Sequence, residues 1–118
     1  MDTDALYVVL VALAGYVLYQ RLSGARKSPR QAVLASIEAG ARIVDVRSPA
    51  EFASGAYRKA RNIPLADLPG RIGELGPKEG PIVLYCASGS RSSQAARLLR
   101  KAGFTGVVNA GGLGDMPG

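Results

Sequence analysis

The sequence predicts a three-layer α/β fold, in which a central, mostly parallel sheet is flanked by helices and preceded by one transmembrane helix. Three observations carry that prediction. Short runs rich in β-branched residues alternate with segments of helical periodicity. The connections between them are short, and strands alternating with helices in this way imply a parallel sheet covered on both faces. A long uncharged run stands near the amino terminus and is separated from the rest by a basic linker. The 118 residues thus divide into an anchor and linker over 1–27 and one domain over 28–118, large enough for a modest core.

From the amino terminus, Ala5 to Tyr19 carries no charge and no strongly polar side chain. Extended to Leu22 it has 18 residues, roughly 27 Å as a helix and near the lower limit for crossing a bilayer. Tyr16 and Tyr19 suit the membrane interface, and Arg21 can snorkel. The alternatives are a cleaved signal peptide, which usually opens with Lys or Arg where this chain opens Met-Asp-Thr-Asp, and a core helix, which would carry a polar stripe. The expectation is an anchor that enters the lipid bilayer. Asp2 and Asp4 precede the run, and Arg21, Arg26, Lys27 and Arg30 follow it. Basic flanks tend to remain cytoplasmic, so the expected location is the inner membrane, single-pass, with the domain facing the cytoplasm. A periplasmic domain after signal cleavage is the alternative.

Ser28-Pro29-Arg30-Gln31 reads as an N-cap, a proline at N1 and a glutamine closing a capping box, opening a helix that runs through Ile37 and stops at Gly40. Arg42 to Arg47 reads as a strand buried on both faces. Ser48-Pro49-Ala50-Glu51 repeats the capping device on a short helix ending near Gly55. Ala56 to Arg61 is a basic loop, Asn62-Ile63 a short strand, and Pro64 to Leu75 a short helix interrupted at Pro69-Gly70. Val107-Val108-Asn109 is the last strand, followed by a turn at Ala110-Gly111-Gly112 and a frayed tail.

The chemistry lies between Pro81 and Ala102. Pro81 to Tyr85 is a compact apolar run of strand length, and Cys86-Ala87-Ser88-Gly89-Ser90-Arg91 turns on small residues. From Arg91 or Ser92, the apolar positions Ala95, Leu98, Leu99 and Ala102 recur at helical spacing up to Gly103, a C′ residue with Phe104 folding back. A cysteine at the end of a strand, before a helix, faces unpaired amides and the positive end of the helix dipole, and Arg91 adds a charge nearby. Such settings favour the thiolate, which is the nucleophile. The alternative is an inert, buried cysteine, against which the flanking Gly and Ser residues argue.

Composition excludes much else. One cysteine rules out an internal disulfide, a CxxC redox pair and a cysteine-rich zinc site. The absence of histidine rules out Cys–His proteases, Ser–His–Asp hydrolases and His-ligated metals. No cofactor is implied. The net charge of +6 is accounted for by the cluster after the first apolar run and by solvated charges such as Arg97, Arg100 and Lys101. With few aromatics and no RNA-recognition signature, nucleic acid is not an expected partner.

Four motifs in order resemble a known family: Asp45 to Phe52, Asn62-Ile63-Pro64, Cys86 to Ser92, and Gly103-Phe104 through Asn109-Ala110-Gly111-Gly112. Together they are similar to single-domain rhodaneses, and the closing Asn-Ala-Gly-Gly-Leu and the size to the phage-shock-type thiosulfate sulfurtransferases. The resemblance covers roughly residues 30 to 116. It implies a rhodanese-like fold and a sulfane-sulfur carrier, moving sulfur from a small anionic donor such as thiosulfate to cyanide or a thiol acceptor through a persulfide. Carried over by position, Cys86 is the catalytic nucleophile. The amides of Ala87, Ser88, Gly89, Ser90, Arg91 and Ser92 cradle the outer sulfur, and Arg91 binds the donor. Asp45 and Arg47 match the family's entry strand and are expected to brace the loop and pair with Glu51. One departure stands out: Gly55-Ala56-Tyr57-Arg58-Lys59-Ala60-Arg61 replaces the family's Gly-His-Ile-Pro-Gly-Ala.

Two other functions compete. Cysteine phosphatases place five residues between cysteine and arginine, whereas here four intervene and Ser92 holds the arginine's place, a loop better sized for one sulfur atom. A non-catalytic, membrane-anchored binding or adaptor module would use the fold alone, but such modules usually lose the loop cysteine.

Overall fold

The computed structural model describes the backbone of residues 3–25 and 27–118 and the side chains of residues 3–18 and 27–118. Four strands, β1 (Arg42–Asp45), β2 (Arg61–Asn62), β3 (Ile82–Cys86) and β4 (Val107–Gly112), pair in parallel in the order β2-β1-β3-β4. Parallel strands need crossovers. The short helix α3 (Pro49–Ala53) connects β1 to β2, a 3-10 stretch at Leu68–Leu75 precedes β3, and α4 (Ser90–Lys101) links β3 to β4.

The period of two along each strand sorts the core into two layers. Val44, Ile82, Leu84 and Cys86 face one side with Leu68, Leu75, Ala95, Leu99 and Phe104. Ile43, Val83, Tyr85 and Ala110 face the other with Val33 and Met116. Val33 belongs to α2 (Arg30–Glu38), so both faces are covered as the sequence implied. Gly103 is left-handed (φ 101°) past the end of α4, and Phe104 N–H returns to Leu99 O at 3.0 Å.

Several local expectations change. Ser28 caps nothing: its N–H donates to Asn109 O at 2.7 Å and its Oγ accepts Asn109 N–H at 3.1 Å, so Pro29 becomes the N-cap of α2. The turn expected at Ala110-Gly111-Gly112 is instead the end of β4, where Gly111 and Gly112 pair with Tyr85 and Cys86 across a register shift. The tail is not frayed either. Leu113–Asp115 forms a 3-10 turn, and Met116 is buried in the second core layer. In the basic loop, Lys59 stands where the family pattern has glycine and still takes the left-handed conformation (φ 64°).

The first helix, α1 (Thr3–Ala25), touches α4 and β4. Leu6, Tyr7, Val8, Leu10, Leu13, Tyr16 and Leu18 are all exposed on it. Among the described residues, no helix is long and apolar enough to cross a membrane. The span expected over Ala5 to Leu22 is therefore not found as a transmembrane helix. The described side chains end at Leu18, and the apolar stretch up to there is about 21 Å long against a hydrocarbon core of roughly 30 Å. The side chains of Tyr19 to Leu22 and the flanking Arg21 and Arg26 lie outside the described residues.

Leu99 is fully buried between α4 and the sheet, whereas Leu34 on α2 is 37% exposed. Leu99→Ala is expected to lower the unfolding free energy by about 2–5 kcal/mol. Leu34→Ala should stay within about 0.5 kcal/mol of the parent. Equilibrium denaturant unfolding of both variants checks this.

Candidate active site

Cys86 is the last residue of β3 and is 1% exposed. Its Sγ accepts the N–H of Gly89 at 3.0 Å and of Ser92 at 3.4 Å, and it lies 3.4 Å from Ser92 Oγ, whose hydroxyl can donate to the ionised sulfur. The loop can fold over the sulfur because Gly89 is left-handed (φ 101°), a conformation that favours glycine, and it starts α4 directly from there. Burial pushes the thiol up. The Ser92 hydroxyl and the amides of Ser92, Ser88 and Gly89 outweigh it, so the Cys86 thiol sits below its ordinary value.

The residues expected to line the site divide in their roles. Gly89 and Ser92 bring their amides to the sulfur. Ser92 adds its hydroxyl, which also reaches Gly89 O at 3.1 Å and Gly111 O at 3.2 Å. Ser88 contributes through its amide, while its side chain is exposed. Ser90 is exposed as the first residue of α4. Ala87 turns its carbonyl towards β4, where a Cβ on Gly112 would lie 2.4 Å from Ala87 O.

Arg91 is engaged by a residue expected elsewhere. Its Nη1 and Nη2 donate to Glu51 Oε1 and Oε2 at 2.6 and 3.0 Å. Glu51 also completes the capping box of α3, accepting Ser48 N–H at 3.1 Å while Ser48 Oγ accepts Glu51 N–H. Arg47, expected to pair with Glu51, instead forks onto Asp45 with Nε and Nη2 at 2.7–3.0 Å and donates to Gly55 O. Arg47 and Asp45 alternate with Val46 and share one face of the chain, so the nearer carboxylate wins. Asp45 raises the Arg47 guanidinium in turn. The brace extends to Tyr85, whose ring lies under Arg47 and whose hydroxyl accepts Tyr57 N–H at 2.9 Å; burial pushes that phenol up to about 12.

Asn109 and Gly111 were not picked out as site residues. The Asn109 side chain donates to Ser93 Oγ at 3.1 Å and accepts Gly111 N–H at 3.0 Å, fixing the strand that receives Ser92. The only sequence signal was their place in the closing motif. Among the described residues, no cluster of three His, Cys, Asp or Glu could hold a metal ion.

With this geometry established, comparison with known proteins assigns the family. The rhodanese-like domain model matches residues 29–114, and the chain belongs to that family. It is 37% identical over 110 residues to the uncharacterized protein YqhL of Bacillus subtilis, covering 89% of this chain and 86% of that one. It is 39% identical over 74 residues to the thiosulfate sulfurtransferase PspE of Escherichia coli, covering 62% of this chain and 71% of that one. Among solved structures, a rhodanese with anions from E. coli superposes with a TM-score of 0.61 at 38% identity, covering 64% of this chain and 93% of that one.

The Arg91 guanidinium holds Glu51 well below the ordinary carboxylate value of 4.5, at about 2, and the Ser48 N–H adds to this. Because the folded value is the lower one, the contribution of the pair is fully present above the ordinary range and is lost as pH falls through about 2. A carboxyl-carbon NMR titration of Glu51 should have its midpoint near 2. A midpoint near 4.5 would mean that the pair does not form in solution.

Proposed function

We propose that the domain is a sulfurtransferase that moves a sulfane sulfur from thiosulfate or a similar small anion to cyanide or a thiol through a Cys86 persulfide. The observation that carries this is the convergence of the Gly89 and Ser92 amides and the Ser92 hydroxyl on one sulfur at the start of a helix. Relatives named as sulfurtransferases, including that of Allochromatium vinosum at 41% identity over 70 residues, support sulfur transfer in general.

In this reading the Cys86 thiolate attacks the sulfane sulfur of thiosulfate. A new S–S bond forms, the old one breaks, and sulfite leaves with the electron pair. Cyanide or a thiolate then attacks the outer sulfur, and the Cys86 thiolate departs with its pair. Neither step needs a general base once the thiol is ionised, which suits a chain without histidine. The amides from Ala87 to Ser92 supply the donors for the charged outer sulfur. Arg91 binds the donor: Glu51 takes one N–H from each terminal nitrogen of the guanidinium, leaving three of its five for sulfonate oxygens. Incubation with thiosulfate should add the mass of one sulfur atom to the intact protein, and cyanide should remove it. Cys86→Ala should show no gain, and the same gain, or no gain, in both proteins would overturn the assignment.

For the amino-terminal helix, the proposal is attachment to the inner membrane with the domain on the cytoplasmic side. Its support is the exposure of Leu6, Tyr7, Leu10, Leu13 and Tyr16 on an apolar helix, with Asp4 in its first turn and Lys27 and Arg30 after it. In intact cells a membrane-impermeant thiol reagent should leave Cys86 unlabelled, and lysis should expose it. Labelling before lysis would put the domain outside.

A further inference from the structure

A second concave site lies away from the sulfur. A cavity of about 600 Å³ opens where β1 and β2 begin, lined by Arg42, Lys59, Arg61 and Glu74 around an apolar floor that includes Ile37, Ile43 and Leu75. Arg42 pairs in register with Ile82, the first residue of β3, whereas Cys86 is the last. The two places are about 13 Å apart along the strands. A cavity of this size falls in the range of small-molecule sites, which combine apolar walls with a few placed polar groups.

Arg42 and Arg61 are set in place by local contacts, and Lys59 by the fold of its backbone alone. Arg42 rests against Gly76, which is left-handed (φ 78°), and a Cβ there would fall 2.2 Å from Arg42 Nη1. Its Nη1 also donates to Glu74 O at 3.4 Å. Arg61 is tied to the Glu74 carboxylate, which is shared with Arg71 at 2.7 Å. Lys59 is held at φ 64°, a conformation that costs a lysine energy and would cost a glycine little. Three cations thus stand around the opening with one carboxylate, and that carboxylate is already divided between two arginines.

We propose that this cavity binds an organic dianion with an apolar body, its acidic groups meeting Lys59 and Arg42 and its carbon body lying over Ile37 and Ile43. The site is independent of the sulfur loop and needs no residue of it. A simple inorganic anion leaves the apolar floor uncovered, and a neutral ligand leaves the cations unanswered.

The test uses the isotope-labelled full chain in detergent, with naphthalene-1,5-disulfonate as the probe and naphthalene-1,5-diol as its neutral counterpart. Saturable amide shifts are expected at Gly40, Ala41, Lys59 and Gly76, with Gly89 and Ser92 unmoved. Lys59→Glu should weaken binding about tenfold or more, because a repulsive charge replaces an attractive one. Lys59→Gly, which suits the left-handed backbone, should weaken it less and leave the fold intact. Thiosulfate-dependent sulfur loading should be unchanged in both variants. Equal affinity for the diol, shifts centred on Gly89 and Ser92 or on α1, or wild-type affinity in Lys59→Glu would each overturn the proposal.

Discussion

Ringing one buried sulfur with hydrogen-bond donors is the constraint on which the rest of this structure depends. An ionised group taken out of water is costly unless donors replace the water. Cys86 is almost fully covered, so the donors must come from the chain itself. They are supplied by a loop so short that Gly89 and Ser92 must turn inward, and by the start of α4. The loop is backed by β4. Gly112 lets the backbone approach Ala87 O, Gly111 O receives the Ser92 hydroxyl, and Asn109 fixes Gly111. The last strand is therefore the wall that keeps the ring of donors closed.

Two charged pairs stand at the same end of the sheet as that ring. Asp45 and Arg47 are buried together behind the loop, and breaking such a pair leaves an uncompensated charge at a cost of about 3–5 kcal/mol. The Glu51–Arg91 pair is half-exposed, so its value lies in geometry more than in stability. Glu51 is fixed by the capping box of α3, and this fixes Arg91 beside the sulfur loop. A local device at the start of a short helix thus orients a side chain 40 residues away.

Two copies of one sequence signature show how far local reading extends. Ser48-Pro49-Ala50-Glu51 forms the capping box that its pattern implies. Ser28-Pro29-Arg30-Gln31 has the same form and makes no side-chain cap, because Ser28 is drawn to Asn109, 81 residues away. The same limit explains β4. Gly111 and Gly112 look like a turn in isolation and become strand only because β3 offers them a partner, while the close approach of Ala87 O leaves Gly112 no room for a Cβ. The motif implies that Arg47 pairs with Glu51, yet it pairs with Asp45, two residues from it, since both face the same side of an extended chain.

By itself, the sequence determined the alternation of strand and helix, the parallel sheet with two covered faces, and the place of the lone cysteine at the end of a strand before a helix. Those features rest on periodicity, turn residues and the placing of a single cysteine, all of which are local. The tertiary structure decided which amides reach the sulfur, which carboxylate holds Arg91, and that the closing glycines form a strand. It also set three cations around a cavity at the far end of the sheet, and left a helix exposed whose described apolar length falls short of a bilayer. These depend on atoms brought together from distant parts of the chain, where pairing geometry and exclusion of bulk outweigh any local preference.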